Sequence, residues 1–397
     1  LTNLKKKCFE LNKAILEIYT FRDTDNAKEI QKIVTNILNA DSDSFFSSRV
    51  PKDSLYRKEL TNIYSKSMSI VQQLFVDIDT ENIENQVAHY TKKWVAEQLL
   101  LNNSPMQLNT VAKANDPGEG KPLLTYLGIR EDCISDEHQA FVASFIFNPD
   151  SLNQFRLYGK EENKEATGLS LVFNKSFFNK DITINKALFT SSLTEAPVDE
   201  IKTEIKEDIQ NEHESLYRCI YLDPTTRQVI SVGHKEDYTF YREQLHTGRE
   251  INQTVKDEYK AYKKEIESTT DKVREELSEL QEEINKLLSS ITDEQEKKKV
   301  EQTICDLLIH LRYLVKHVAF KEEQECRIIC VESLDKNERI LEDINNERLY
   351  IDYRTATDSV TDIYFAPKAE GKTAFGDRLR YHGLKIKCHQ CEHPFST

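Results

Sequence analysis

Two short segments far apart in the chain carry the residue types that do chemistry. His89-Tyr90-Thr91 lies near the front, and Glu322-Glu323-Gln324-Glu325-Cys326-Arg327 leads into the apolar run Ile328-Ile329-Cys330 near the back. Acidic residues at the start of an apolar strand hold a carboxylate at the mouth of a cleft, where it acts on a developing positive charge. Strand alternation puts Glu323, Glu325 and Arg327 on one face, so an ion pair between Arg327 and either glutamate is the structural alternative to a catalytic role. His89 opens a helical stretch, and a helix-capping or core-filling ring is the alternative to a ligand-binding one. Between the two segments stand Asn115-Asp116-Pro117-Gly118-Glu119, ordinary turn chemistry on its own, and Phe155-Arg156-Leu157-Tyr158-Gly159 ahead of the apolar Gly168–Phe173.

These residues need a scaffold, and length and composition bound it. A chain of 397 residues has a prior of two or three domains, and a hydrophobic content of 38% is enough to bury a core. A formal net charge of −14 argues against a dedicated nucleic-acid binder, which needs a surplus of Lys and Arg to neutralise phosphates. No run of about 18 apolar residues suggests a membrane span, and no secretion leader is visible. The chain starts at Leu1 rather than methionine, which leaves room for an upstream leader or domain. The 8 cysteines are scattered, several within apolar runs, as in a reduced cytoplasmic protein.

Along the chain, residues 1–85 read as a helical region. Leu4, Cys8, Leu11, Ile15 and Ile18 recur at helical steps, as do Ile30, Ile33, Val34, Ile37 and Leu38, and after a break at Asp41 so do Leu55, Leu60, Ile63, Met68, Val71 and Leu74. Residues 86–397 read as α+β: a helix over 91–101, then strands at 106–109, 141–147, 169–173, 327–331, 349–353 and 360–367, with 384–387 at the end. Segments 216–222 and 228–232 read as a hairpin around Asp223-Pro224, and the charged 175–213 as an insertion or surface loop. Within 250–320, Tyr259, Ile266, Val273, Leu280 and Leu287 form one heptad series and Thr270, Leu277, Ile284 and Ile291 the other. A capping box at Thr292-Asp293-Glu294-Gln295 starts a second helix with Val300, Ile304, Leu307, Leu308, Leu311 and Leu314. The expectation is an antiparallel, coiled-coil-like helical hairpin projecting from the domain, either structural or a dock for a partner.

From about residue 87 onward the chain resembles a bacterial domain family of uncharacterised function, itself similar to ADP-ribosyltransferases of the His-Tyr-Glu class. The residues that carry the resemblance are His89-Tyr90, Asn115-Asp116-Pro117-x-Glu119, Phe155 to Tyr158 with Gly168, Glu323-x-Glu325-x-Arg327-Ile328, and Ile363-Tyr364-Phe365-Ala366-Pro367. Each motif is short, and their order gives the match its weight. Cys326 departs from the pattern, standing where a bulky aromatic is usual.

The resemblance implies an ADP-ribosyltransferase-like mixed sheet and a mono-ADP-ribosyltransferase that consumes NAD+ as co-substrate. Cleaving the nicotinamide–ribose bond creates an oxocarbenium-like ribose, which a carboxylate beside the 2′-hydroxyl stabilises more in the transition state than in the ground state. Glu325 is the expected carboxylate, with Glu323 and Tyr158 beside it as catalytic residues. His89 is expected to hold the adenosine-side ribose and Tyr90 or Tyr158 to stack on nicotinamide. Arg156 is expected to steady the pyrophosphate, with Asn115, Asp116 and Arg327 completing the cofactor site. The implied setting is a bacterial effector, toxin or defence protein in the bacterial or host cytosol, with a protein acceptor and an activating partner on the helical parts. The alternatives are an NAD+ glycohydrolase and a non-enzymatic helical interaction protein with a ligand-binding α+β domain.

Other constellations exclude or add little. Cys388-His389-Gln390-Cys391-Glu392-His393 has the spacing of half a zinc site, but no second C-x-x-C exists to complete it, so no metal is expected. No P-loop, dinucleotide-binding glycine fingerprint or G-x-S-x-G is present.

Overall fold

A computed structural model describes residues 45–78, 82–111, 118–134, 137–160, 164–178, 215–335, 337–345, 347–391 and 393. The expected helices before residue 45, the 175–213 loop beyond residue 178, and Asn115 and Asp116 fall outside the described residues.

The strands are β1 Val87–Thr91, β2 Pro105–Thr110, β3 His138–Ile146, β4 Leu169–Phe173, β5 Leu216–Arg218, β6 Ile220–Asp223, β7 Gln228–Val232, β8 Val315–His317, β9 Glu325–Ser333, β10 Leu341–Asp343, β11 Arg348–Thr355, β12 Val360–Phe365 and β13 Lys387–Gln390. The helices are α1 Arg57–Gln73, α2 Lys93–Leu101, α3 Pro122–Leu127, α4 Leu152–Tyr158, α5 Asp237–His246, α6 Gln253–Ser290, α7 Glu294–Leu307, α8 Ile309–Arg312 and α9 Lys372–Tyr381. The protein is α+β with a mixed sheet. The large sheet runs β10-β11-β2-β3-β1-β4-β12-β13, with β9 on β3 and β5 on β9, and a small sheet runs β7-β6-β8. The pairs β12–β13 and β6–β8 are parallel, against an otherwise antiparallel background. No helix among the described residues is long and apolar enough to cross a membrane.

The centre of the large sheet is covered on both faces, and the sequence of β3 reflects it. Ala140 and Val142 point into one core, Phe141, Ala143 and Phe145 into the other; on β9, Ile329 and Val331 separate in the same way from Cys326, Ile328 and Cys330. A strand buried on both sides reads as a continuous apolar run, as these do. One core joins α1, α6, α7 and the small sheet through Leu60, Ile63, Leu222, Val273, Leu277 and Ile304. The other is aromatic, with Phe173 and Phe177 centroids 4.5 Å apart and Phe145 edge-on to Phe173 at 5.6 Å.

The heptad residues from Tyr259 to Ile291 are all buried, yet they do not form the expected projecting hairpin. α6 spans 38 residues and α7 only 14. At 1.5 Å per residue that is about 57 Å against about 21 Å, so α7 covers only the end of the seam. Most of the rest packs on α1 and β7, and Tyr259 stacks on Phe240 of α5 at 5.2 Å. The front helix α1 and the long helix α6 therefore share one core. α7 is capped one residue later than the capping box placed it, with the Asp293 carboxylate accepting from the Glu296 amide at 2.8 Å. The expected hairpin at 216–232 is divided at Cys219: β5 joins β9 in the large sheet, and only β6 and β7 form the hairpin. Leu277, fully buried in the seam, tests this packing. Leu277→Ala is expected to cost about 2–5 kcal/mol in urea unfolding, whereas a seam exposed to solvent would lose almost nothing.

Candidate active site

The large sheet parts between β1 and β3. β1 pairs with β4 through five residues but with β3 only at Ala88↔Ile146, while β3 pairs with β9 along nine. Ile146 is also the partner of Glu325, so Ala88, Ile146 and Glu325 lie in one row across three strands. Beyond that row the strands diverge and a cleft of about 1190 Å³ opens. Its lining includes His89 and Trp94 on one side, Glu119, Ser144 and Tyr158, and Lys316, Glu325 and Arg327 on the floor, with Glu342 to Tyr350 at the rim. Segments at the two ends of the chain thus meet in one cavity.

Where the backbones of β1 and β3 have parted, the His89 ring meets the Ser144 carbonyl, with Nδ1 at 2.9 Å. Burial lowers its pKa despite that bond, so the ring is neutral, with Nδ1–H donating and Nε2 left as an acceptor. His89 belongs to a strand and not to a helix start, which removes the capping alternative.

The floor is a cluster of five charged groups. Glu325, 2% exposed, accepts from Arg327 Nε at 2.7 Å and Nη2 at 3.1 Å and from Lys316 Nζ at 2.6 Å. Lys316 also pairs with Glu323, and Arg327 with Glu119 and, at 2.7 Å, with the Tyr313 carbonyl. Burial pushes the Glu325 carboxyl up, but Arg327 and Lys316 outweigh it and hold the group down at about 2. Glu323 goes the other way, raised by burial and by the charge of Glu325 against the pull of Lys316. Charge balance explains the split: three carboxylates face two cations, and the one furthest from Arg327 gives way. Burial, together with Glu323, also raises the Tyr158 hydroxyl, which donates to Glu323 at 3.1 Å.

Glu323 and Glu325 share Lys316 for a reason other than strand alternation. Glu323 ends a 3-10 turn, Val318–Glu323, and Gln324 follows in the left-handed region at φ 48°. That conformation is uncommon for a residue with a side chain. It is held by the Gln324 amide, which accepts from the His234 backbone N–H and donates to Glu236 and to the Lys321 carbonyl. Beside it, a Cβ on Gly233 would strike the Glu325 carbonyl oxygen. Tyr221 completes the support, its hydroxyl accepting from the Glu325 amide at 2.7 Å.

Two expected ligand residues are engaged by the protein itself, Tyr90 at the border of the cleft and Arg156 outside it. The Tyr90 ring is buried edge-on against Phe155 at 5.0 Å, and its hydroxyl donates to the Asn148 carbonyl at 2.6 Å and accepts from the Ser151 amide at 2.8 Å. With ring and hydroxyl both committed, Tyr90 anchors the start of α4 and does not stack on a ligand. Arg156 does not line the cleft; it is half exposed and bonded to Glu165 at 3.0 Å. Trp94 of α2 is 55% exposed and lines the cleft.

Lys316, Tyr221 and Gln324 were not legible as site residues, and Glu119 read as turn chemistry and as the end of the Asn115-Asp116-Pro117-x-Glu119 motif, without a role of its own. The one available signal was Lys316, a lone cation in Leu314-Val315-Lys316-His317-Val318, since a cation inside an apolar run has to find a carboxylate when buried.

No family model matches the chain, and no curated protein or solved structure matches it either. A net negative, water-poor floor beneath an open cavity favours a cationic group, or one that becomes cationic during reaction. Of the roughly four acceptor directions of a carboxylate, the cations occupy three on Glu325, leaving one on Oε1.

The position of Tyr158 depends on two glycines. A Cβ on Gly168 would collide with Gly159 Cα and approach the Thr91 carbonyl to 2.6 Å. Gly168→Ala is expected to force the end of α4 off β1 and β4, costing about 1–3 kcal/mol in thermal or urea unfolding. Gly128→Ala, with nothing within 4 Å of the added carbon but a φ of 75°, serves as the comparison for backbone strain alone.

Proposed function

We propose that the chain is an ADP-ribosyltransferase-like enzyme that cleaves NAD+ and transfers ADP-ribose to a protein acceptor, acting as a bacterial effector, toxin or defence protein. The observation that supports this most is the convergence of His89, Tyr158 and Glu325 on one cleft. Glu325 stays ionised at neutral pH and offers a lone pair to the ribose 2′-hydroxyl, stabilising the positive charge that grows as nicotinamide leaves. His89 Nε2 accepts from a hydroxyl of the adenosine-side ribose and fixes the register of the dinucleotide. Tyr158, held by Glu323, supplies the aromatic edge for nicotinamide. Glu323, with its raised pKa, is suited to take the proton of the acceptor nucleophile. Lys92 lines the cleft, is exposed, and has no ion-pair partner among the described residues, so it suits the pyrophosphate better than Arg156 does.

The experiment is incubation with NAD+ labelled in its ADP-ribose part, in the presence of a cell extract. Released nicotinamide with label on a macromolecule supports the transferase. Nicotinamide with only free ADP-ribose assigns a glycohydrolase. A second, non-enzymatic reading draws on the tight ion cluster around Glu325, which would serve equally as a structural lock under a ligand-binding cleft; it predicts NAD+ binding, or none, without nicotinamide release.

A further inference from the structure

We propose that Asp150, Cys391 and His393 bind a zinc ion that fastens the end of β13 to the β3–α4 turn. One ligand atom from each lies within 4.8 Å of the others, where ligands around a tetrahedral zinc stand roughly 3.5 Å apart. Closure therefore requires about 1 Å of side-chain movement, mostly of His393, the most exposed of the three.

The sequence spacing around Cys388 and Cys391 suggested half of a zinc site, and the fold explains why that half does not close on itself. Cys388 lies on β13 and packs towards α9, 3.7 Å from where a Cβ on Gly376 would stand. His389 is stacked on Tyr364 and bonded to Asp362 at 2.7 Å. Cys391, three residues beyond Cys388, lies past the end of the strand, its amide bonded to the Phe365 carbonyl. The partner for Cys391 and His393 comes instead from Asp150, remote in sequence.

Asp150 is 4% exposed, and neither of its carboxylate oxygens makes a well-angled hydrogen bond. Its countercharge is Arg242 of α5, 2.6 Å from Oδ2. The same guanidinium lies 3.2 Å from His393 Nε2, which is also 2.9 Å from the Asp150 carbonyl. A buried carboxylate with poor hydrogen bonding, a buried thiol and an imidazole form a mixed S, N, O donor set of the kind zinc takes, with water as the fourth ligand. Binding breaks the Cys391 S–H bond: the electron pair goes to the metal and the proton to solvent. His393 ligates through the Nε2 lone pair with its proton on Nδ1, giving up the Asp150 carbonyl, and Arg242 swings outward. Because binding releases the thiol proton, occupancy rises with pH. The clasp also bears on the cleft, because Asn148 and Ser151, flanking Asp150, are the residues that hold the Tyr90 hydroxyl.

The test uses the full chain, reduced and stripped of metal, titrated with Co(II) and then Zn(II). One equivalent of Co(II) is expected to give a thiolate-to-cobalt charge-transfer band that Zn(II) displaces, and Zn(II) is expected to protect one thiol from a disulfide reagent. Cys391→Ser and Asp150→Asn lose the band, Cys388→Ser keeps it, and Arg242→Gln tightens binding several-fold by removing the competing cation. The proposal is overturned by no band in the wild-type protein, or by a band that survives Cys391→Ser and disappears with Cys388→Ser. It is also overturned if Arg242→Gln only lowers the melting temperature without changing Co(II) affinity. Wild-type titration and thiol protection remain decisive should the Cys391 variant fail to fold.

Discussion

Glu325→Gln is expected to lower the rate of nicotinamide release by about 10²–10³-fold, the scale on which a preorganised electrostatic contact to a developing charge acts. The amide keeps the shape of the side chain but removes the full negative charge that would face the ribose cation, so the loss falls on kcat rather than on KM. The substitution also places an NH₂ group before donors from Arg327 or Lys316, which costs stability on the order of 3 kcal/mol. Activity is therefore compared at a temperature where circular dichroism reports full folding. Glu323→Gln provides the contrast. Removing that charge brings the cluster to two carboxylates against two cations, so folding is nearly unchanged, while label transfer to the acceptor falls and nicotinamide release into water persists. A Glu325→Gln protein that turned over NAD+ at the wild-type rate would remove the carboxylate from the mechanism, and with it the transferase reading.

The two ends of the site were visible in the sequence because their chemistry is local. His89 and Glu325 sit at the edges of apolar runs, and strands with period-two or continuous apolar character, such as β3 and β9, declare themselves. The part that pairs their charges was hidden because it depends on tertiary contacts. Lys316 reaches Glu323 and Glu325 only after β8 has joined the small sheet, and Glu119 reaches Arg327 across more than 200 residues of sequence. His89 and Tyr90 were both expected to hold the dinucleotide, yet both border the cleft and only His89 keeps a free acceptor there, the Tyr90 hydroxyl being taken by Asn148 and Ser151. The long heptad helix was legible as an amphipathic element, but an a/d seam says that a partner exists, not which one. Here the length mismatch with α7 assigns most of that seam to α1 and β7.

The ion cluster that positions Glu325 sets the protein's acid stability, and the sign follows from the two glutamates separately. Glu325 has its folded pKa depressed from 4.5 to about 2. Its contribution, on the order of 3 kcal/mol, is present above the unfolded value and lost as pH falls from about 4.5 towards 2. Glu323 has its folded pKa raised, so its contribution is present below 4.5 and is lost as pH rises through the folded value. The urea midpoint is therefore expected to decline on both sides of a maximum in mildly acidic solution, and Glu323→Gln removes the decline on the alkaline side. Arg327→Met probes the acid side, because it takes away the bidentate partner of Glu325 and the ion-pair partner of Glu119. Leaving those charges buried and uncompensated is expected to cost about 3–5 kcal/mol at neutral pH. Without the guanidinium, the Glu325 pKa returns upward, so the variant loses little further stability between pH 4.5 and 2 while the wild type falls steeply. Parallel acid profiles for the two proteins would mean that Arg327 does not hold Glu325 in its ionised form, and that the floor of the cleft is organised by Lys316 alone.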